Sequence, residues 1–147
     1  MPMKTFRGQV DSGGQETISL HTNDGLTGYK IAKFKCIPDT PGVNQTEAIV
    51  KVYTVEQDSV DAVVDFDDQT LIGVVFLAVA NGSNEAYASE LHTVFDNITF
   101  NQDIYVTGIE LAGGRTTNYH IELEQVRLNV NEQTVATLKD IRNTGSQ

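Results

Sequence analysis

Apolar and polar residues alternate with a period of two along most of this 147-residue chain, the signature of strands that bury one face and wet the other. "KTFRGQV" (4–10) opens the pattern, and "DSGGQ" interrupts it with Gly13 and Gly14, both free to adopt positive φ in a turn. "ETISLH" reads as a second strand and "TNDGLTG" as a second reversal. A third strand, "YKIAKFKC" (29–36), sets Ala32, Phe34 and Cys36 in one phase. "IPDTPGVNQ" then gathers Pro38, Pro41 and Gly42, which stops a sheet ladder and predicts a loop. "EAIVKVYTV" (47–55), alternating and β-branched, is a fourth strand.

The middle of the chain breaks the rhythm. "EQDSVDAVVDFDDQ" (56–69) mixes six acidic residues with a few valines and reads as a connection, whereas "TLIGVVFLAVA" (70–80) is apolar throughout, as a strand buried on both faces is. "NGSNEAYAS" closes that strand as a turn. "ELHTVF", "DNITFNQ" and "DIYVTGIELAGG" supply two or three further strands, and Tyr119, Ile121 and Leu123 alternate with His120, Glu122 and Glu124 in another. Eight or nine short strands with Gly- and Asn-rich turns predict an all-β fold, a single-domain β-sandwich of jelly-roll type spanning residues 1–147.

Charge and composition narrow the partners. Twenty acidic residues against ten basic ones give a formal net charge of −10, which repels phosphate backbones and anionic lipid, so neither nucleic acid nor membrane is the expected partner. The apolar run 71–80 is about half the length of a spanning helix and contains Gly73. The N-terminal stretch lacks a secretory signal pattern, which points to synthesis and retention in a cytoplasm. One cysteine, Cys36, excludes an internal disulfide and a multi-thiolate metal cluster, and its apolar phase makes it a core residue rather than a nucleophile.

The remaining chemistry-bearing residues each have an ordinary reading. Asp65, Asp67 and Asp68 in "DFDD" cluster carboxylates that Ca²⁺ would accept, but without the glycine and later glutamate of a calcium loop they read as a solvated acidic turn. His21, His92 and His120 are scattered with no second ligand at metal spacing. "AGGRTT" (112–117) has the glycines and Arg115 of an anion loop but no lysine and no following helix, so it reads as a hairpin turn with an exposed arginine. The sequons at Asn44, Asn81 and Asn97 are expected to stay unmodified. With no Trp, and with Phe34, Phe76 and Tyr119 in apolar phase, no aromatic row for sugar binding stands out, although a glycan-binding module on such a fold remains the alternative function. No catalytic, cofactor-binding or metal-binding set emerges, and the chain is expected not to be an enzyme.

The C-terminal third carries the strongest signal. The alternation through Val126, Leu128 and Val130 predicts a long strand, and in "NEQTVATLKDIRN" the spacing of Val135, Leu138 and Ile141 suits a helix that Asn131 could cap; the β-branched content also permits a last strand over 133–142, which is the expectation because the surrounding fold offers edges to pair with. "YHIELEQVRLNVNEQTVATLKDIRN", with "VFDNITFNQDIYVTGIEL" upstream, resembles small virion structural proteins of marine tailed bacteriophages, notably cyanophages, over about Phe95 to Asn143. The resemblance implies a non-enzymatic virion component made in the host bacterial cytoplasm. In that role the chain would pair with itself as a homo-oligomer and with other virion proteins such as the major capsid protein. It would serve as a multi-copy capsid decoration or cement protein, or alternatively as part of the neck or tail. An acidic, disulfide-free subunit suits such a role on the outside of a particle.

Overall fold

The computed structural model describes residues 2–41, 45–79, 89–132 and 134–137. Among the described residues eight strands account for the alternating segments: β1 (Met3–Val10), β2 (Gly14–Ile18), β3 (Thr27–Pro38), β4 (Thr46–Tyr53), β5 (Leu71–Val79), β6 (Ser89–Phe95), β7 (Ile104–Glu110) and β8 (Thr117–Arg127). They form two antiparallel sheets, β1-β8-β3 and β2-β7-β4-β5-β6. The pairing is nested as in a jelly roll: β1 with β8, β2 with β7, β4 with β5. The remaining jelly-roll pair, β3 with β6, is not formed: β6 stays alongside β5, and β3 instead makes a single bridge, Tyr29 to Phe100, with the segment that follows β6. "DNITFNQ" therefore contributes this bridge instead of a ninth strand. Its Phe100 packs beside Tyr29 in the core, ring centroids 6.4 Å apart.

The core lies between the sheets. Tyr29, Ile31, Phe34, Cys36, Tyr119, Ile121 and Leu123 from one sheet meet Ile18, Val50, Val52, Val75, Ile104 and Val106 from the other. A bulge between Ile31 and Lys33 shifts the phase of β3, so that Ile31 and Phe34, three apart, both face inward. Ala32 is consequently exposed, against its expected place in phase with Phe34 and Cys36. The sheets meet closely at Gly108, where an added Cβ would sit 2.6 Å from a methyl of Val10 on the facing sheet.

Turn chemistry follows the glycines. Gly13 in "DSGG" has φ 83° and Gly25 in "TNDG" has φ 66°, a region open to glycine at little cost. β2 stops at Ile18, short of the expected His21, because the backbone N–H groups of Leu20 and His21 donate to the Asp103 carboxylate at 2.8 and 3.0 Å instead of to a strand.

Two expectations about the C-terminal stretch are corrected. β8 ends at Arg127, and Val130 is exposed rather than part of a continuing strand. Residues 130–132 and 134–137 are helical, where a last strand was favoured. The cap is Asn129 rather than Asn131: its side-chain oxygen accepts the Glu132 backbone N–H at 2.8 Å, and its amide donates to the Glu132 carboxylate at 2.8 Å. This reciprocal closure at the first turn outweighs the strand preference of the β-branched residues. Residues 138–142 lie outside the described residues, as does the turn expected over "NGSNEAYA".

Candidate functional site

Alternation on β1, β8 and β3 puts every second side chain on the outer face of the three-stranded sheet, and the register aligns these side chains in rungs. Arg7 pairs with His120, and His120 in turn pairs with Lys35, so three basic side chains lie side by side across the sheet. The next rung holds Gln9, Asn118 and Ile37, with Ile37 57% exposed. On the other side, Lys33 meets Glu122 at 3.4 Å. None of the ion pairs among the described residues involves Arg7, His120 or Lys35. A groove of about 650 Å³ runs over these two rungs, lined by Arg7, Gln9, Lys35, Ile37, Asn118 and His120 together with Gly8 and Tyr119.

On the opposite outer face the chain's own connection, residues 54–70, packs over β4 and the start of β5. Lys51 on β4 projects outward, yet it is only 2% exposed, because its ammonium donates to the Asp61 carboxylate at 3.0 Å and to the Val63 carbonyl at 2.6 Å. It also sits over the Tyr53 ring, 5.5 Å from the centroid. The Lys51 hydrogen bond holds the Asp61 carboxyl below its ordinary value against the weak opposition of burial. Gln15 on β2 exchanges two hydrogen bonds with the backbone of Gln57, at 3.2 and 2.9 Å, and pins the other end of the connection. Ala62 and Phe76 pack against a second apolar cluster of Ile49, Tyr53, Leu71 and Val74 beneath it.

The sandwich is therefore electrically two-sided. The outer face of the three-stranded sheet carries Arg7, Lys30, Lys33, Lys35 and His120 against Glu122 and Glu124. The five-stranded sheet has Lys51 as its one lysine or arginine, and residues 54–70 add six carboxylates and no base. The net −10 is a sum over unlike faces. Apolar groups accompany both charges, since Phe66 is 69% and Val63 64% exposed within the acidic connection.

The residues flagged by chemistry fall mostly into structural roles. Asp65 accepts the Asp67 N–H at 3.0 Å, and Asp68 accepts from the Thr70 N–H and hydroxyl at 2.9 and 2.6 Å, so "DFDD" builds turns with its own carboxylates. Cys36 is buried in the core, and that burial drives its thiol far above the ordinary value, away from the thiolate form. The three histidines are not brought together: His21 bonds Asp103 at 2.7 Å, His92 stacks on Phe76 and His120 occupies the basic rung. Among the described residues no group of three His, Cys, Asp or Glu side chains is placed to hold a metal ion. Phe34 and Tyr119 are core residues as expected, whereas Phe76 is half-buried on the outer face. Asn97 is exposed; Asn44 and Asn81 lie outside the described residues.

The loop "AGGRTT" does enclose an anion, and it is the protein's own. Since β7 and β8 lie in different sheets, this segment crosses between sheets and is no hairpin, and Arg115 is half-buried. Glu110, only 4% exposed, accepts four backbone N–H groups there: Glu47 and Ala112 on one oxygen at 3.0 and 2.7 Å, Gly113 and Arg115 on the other at 2.7 and 3.2 Å. Burial raises its carboxyl, but the four N–H groups outweigh that and hold it below the ordinary value. Glu110 escaped the sequence reading; the available signal was a glutamate in the inward phase of Ile104 and Val106, just ahead of a glycine pair.

No protein-family model matches the chain, and no curated protein matches its sequence.

Proposed function

We propose that this chain is a non-enzymatic structural component of a tailed-phage particle, acting as a multi-copy decoration or cement protein on the outer surface of the capsid. The carrying observation is the pair of unlike outer faces, each placing exposed large apolar side chains beside a charged group: Ile37 beside the basic rung of Arg7, His120 and Lys35, Val63 and Phe66 among the carboxylates of the connection. Scattered single apolar residues are ordinary, but apolar groups clustered with charges of one sign suit contacts with other proteins. Arg7, His120 and Lys35 suit an acidic partner surface. The resemblance of "YHIELEQVRLNVNEQTVATLKDIRN" supplies the particle. In this reading the protein is made in the host cytoplasm, assembles with itself and with the major capsid protein, and uses neither nucleic acid nor membrane.

Mass spectrometry of purified particles, with cryo-microscopy to place the chain, tests this. Many copies on the capsid surface are the expected result. A chain absent from particles overturns the proposal, and a copy number matching a neck or tail ring moves it to that location. A glycan-binding module is the second reading, favoured by the amide side chains of Gln9 and Asn118 in the 650 Å³ groove; a glycan array that returns nothing removes it.

A further inference from the structure

Phe66 stands out as a large aromatic side chain held in water, on a loop whose neighbours Asp65, Asp67 and Asp68 bear charge opposite to that of the groove on the other sheet. The Asp65–Asp67 and Asp68–Thr70 turn bonds shape this loop, so Phe66 is presented by an ordered segment and little conformational freedom remains to be lost on docking. The groove on the three-stranded sheet is large enough for an aromatic ring, has Ile37 as an apolar wall, and is bordered by Arg7, His120 and Lys35. We propose that the occupant of this groove is the 54–70 connection of a second copy of this chain, with Phe66 seated in the groove and Asp65 and Asp67 facing Arg7 and Lys35.

Charge complementarity selects this occupant. In a chain of net charge −10, three basic side chains without an ion-pair partner among the described residues, Arg7, His120 and Lys35, stand together in one rung of one face, and the densest base-free run of carboxylates, six within residues 54–70, lies on the other. Two basic faces would repel each other, as would two acidic ones, so a symmetric contact between like faces is disfavoured. A contact between unlike faces is head-to-tail, and it leaves one groove and one loop free at the ends of every row. Such a contact repeats into a ring if the rotation closes and into a row if it does not. The inference rests on the multi-copy reading and names the two surfaces that would meet.

Sedimentation velocity on the full chain tests it with two variants. The groove variant carries Arg7→Glu and Lys35→Glu; the loop variant carries Phe66→Ser and Asp67→Ser. All these positions are exposed, and circular dichroism confirms that each variant is folded. At low salt the wild type is expected to populate dimers and larger species, and high salt should weaken that association at least about tenfold, because exposed charges are screened. Each variant alone should be monomeric. Mixed, they should form a 1:1 dimer that grows no further, because one intact groove meets one intact loop and the altered pair has no attraction. A monomeric wild type, self-association by either variant alone, or a mixture that stays monomeric overturns the proposal. So does wild-type protein whose groove binds a short DNA oligonucleotide while remaining monomeric. A monomer in solution that is nevertheless present in many copies on particles defeats this contact and leaves the particle role standing, whereas head-to-tail association by a chain absent from particles does the reverse.

Discussion

Replacing Glu110 by Gln probes the tightest polar knot in the sandwich. The wild-type carboxylate has two oxygens, each accepting two backbone N–H groups, and the residue is almost fully buried. Glutamine keeps one oxygen and turns the other into an amine that faces two N–H donors, so two charge-assisted hydrogen bonds are lost and two donors are stranded. A hydrogen bond to a charged group contributes about 1.5–3 kcal/mol, and a buried donor without an acceptor costs about 1–3 kcal/mol. Partial relaxation of an exposed glycine loop toward water reduces the sum, and a net loss of about 2–4 kcal/mol is expected. Urea unfolding followed by far-UV circular dichroism and by the fluorescence of the five tyrosines, undisturbed by any tryptophan, reads this directly. The pH dependence provides a second check. Because the folded-state carboxyl titrates below its ordinary value, its contribution is complete above the unfolded-state pKa and is lost as pH falls through the folded-state value. The gap between wild type and E110Q should therefore be widest near neutral pH and close on acidification. A midpoint within about 0.5 kcal/mol of wild type, or a gap that does not change with pH, would show that water can replace the carboxylate.

Three further perturbations follow from the packing. Gly108→Ala places a methyl against Val10 and should cost about 1–3 kcal/mol by overpacking, with partial rescue by Val10→Ala in a double-mutant cycle; additivity of the two would refute the contact. Asn129→Ala removes the cap of the terminal helix and should lower local stability by about 1 kcal/mol, seen as faster amide exchange at residues 130–137 with the sheets unaffected. Asp103→Asn weakens the anchor for the Leu20 and His21 N–H groups and for the His21 ring; burial opposes ionisation of Asp103, but these bonds win and hold it below its ordinary value. The stability it supplies should be present at neutral pH and disappear as pH falls through its folded-state value, and an acid limb identical in D103N and wild type would contradict this.

The pattern of apolar residues determined where all eight strands begin to within about two residues, and it determined the inward phase of Phe34, Cys36, Tyr119, Ile121 and Leu123. That information is local, because a strand's two faces are written in neighbouring residues. Glycines 13 and 25 were likewise legible as turn formers, since positive φ is a property of a single residue.

Only the tertiary structure decided what depends on residues far apart in the chain. The bulge that turns Ala32 outward is a mismatch between β3 and β8, visible in neither strand alone. The Gly-rich loop after β7 holds an anion because the fold carries Glu110 into it and brings the Glu47 N–H from another strand. Lys51 is buried because residues 54–70 fold back over its strand, and Asn129 turns the chain helical where available sheet edges suggested a last strand. The division of charge between two faces follows from sheet membership: alternation says which side chains share a face of one strand, but only pairing places Arg7, His120 and Lys35 in one rung and the acidic connection on the far side.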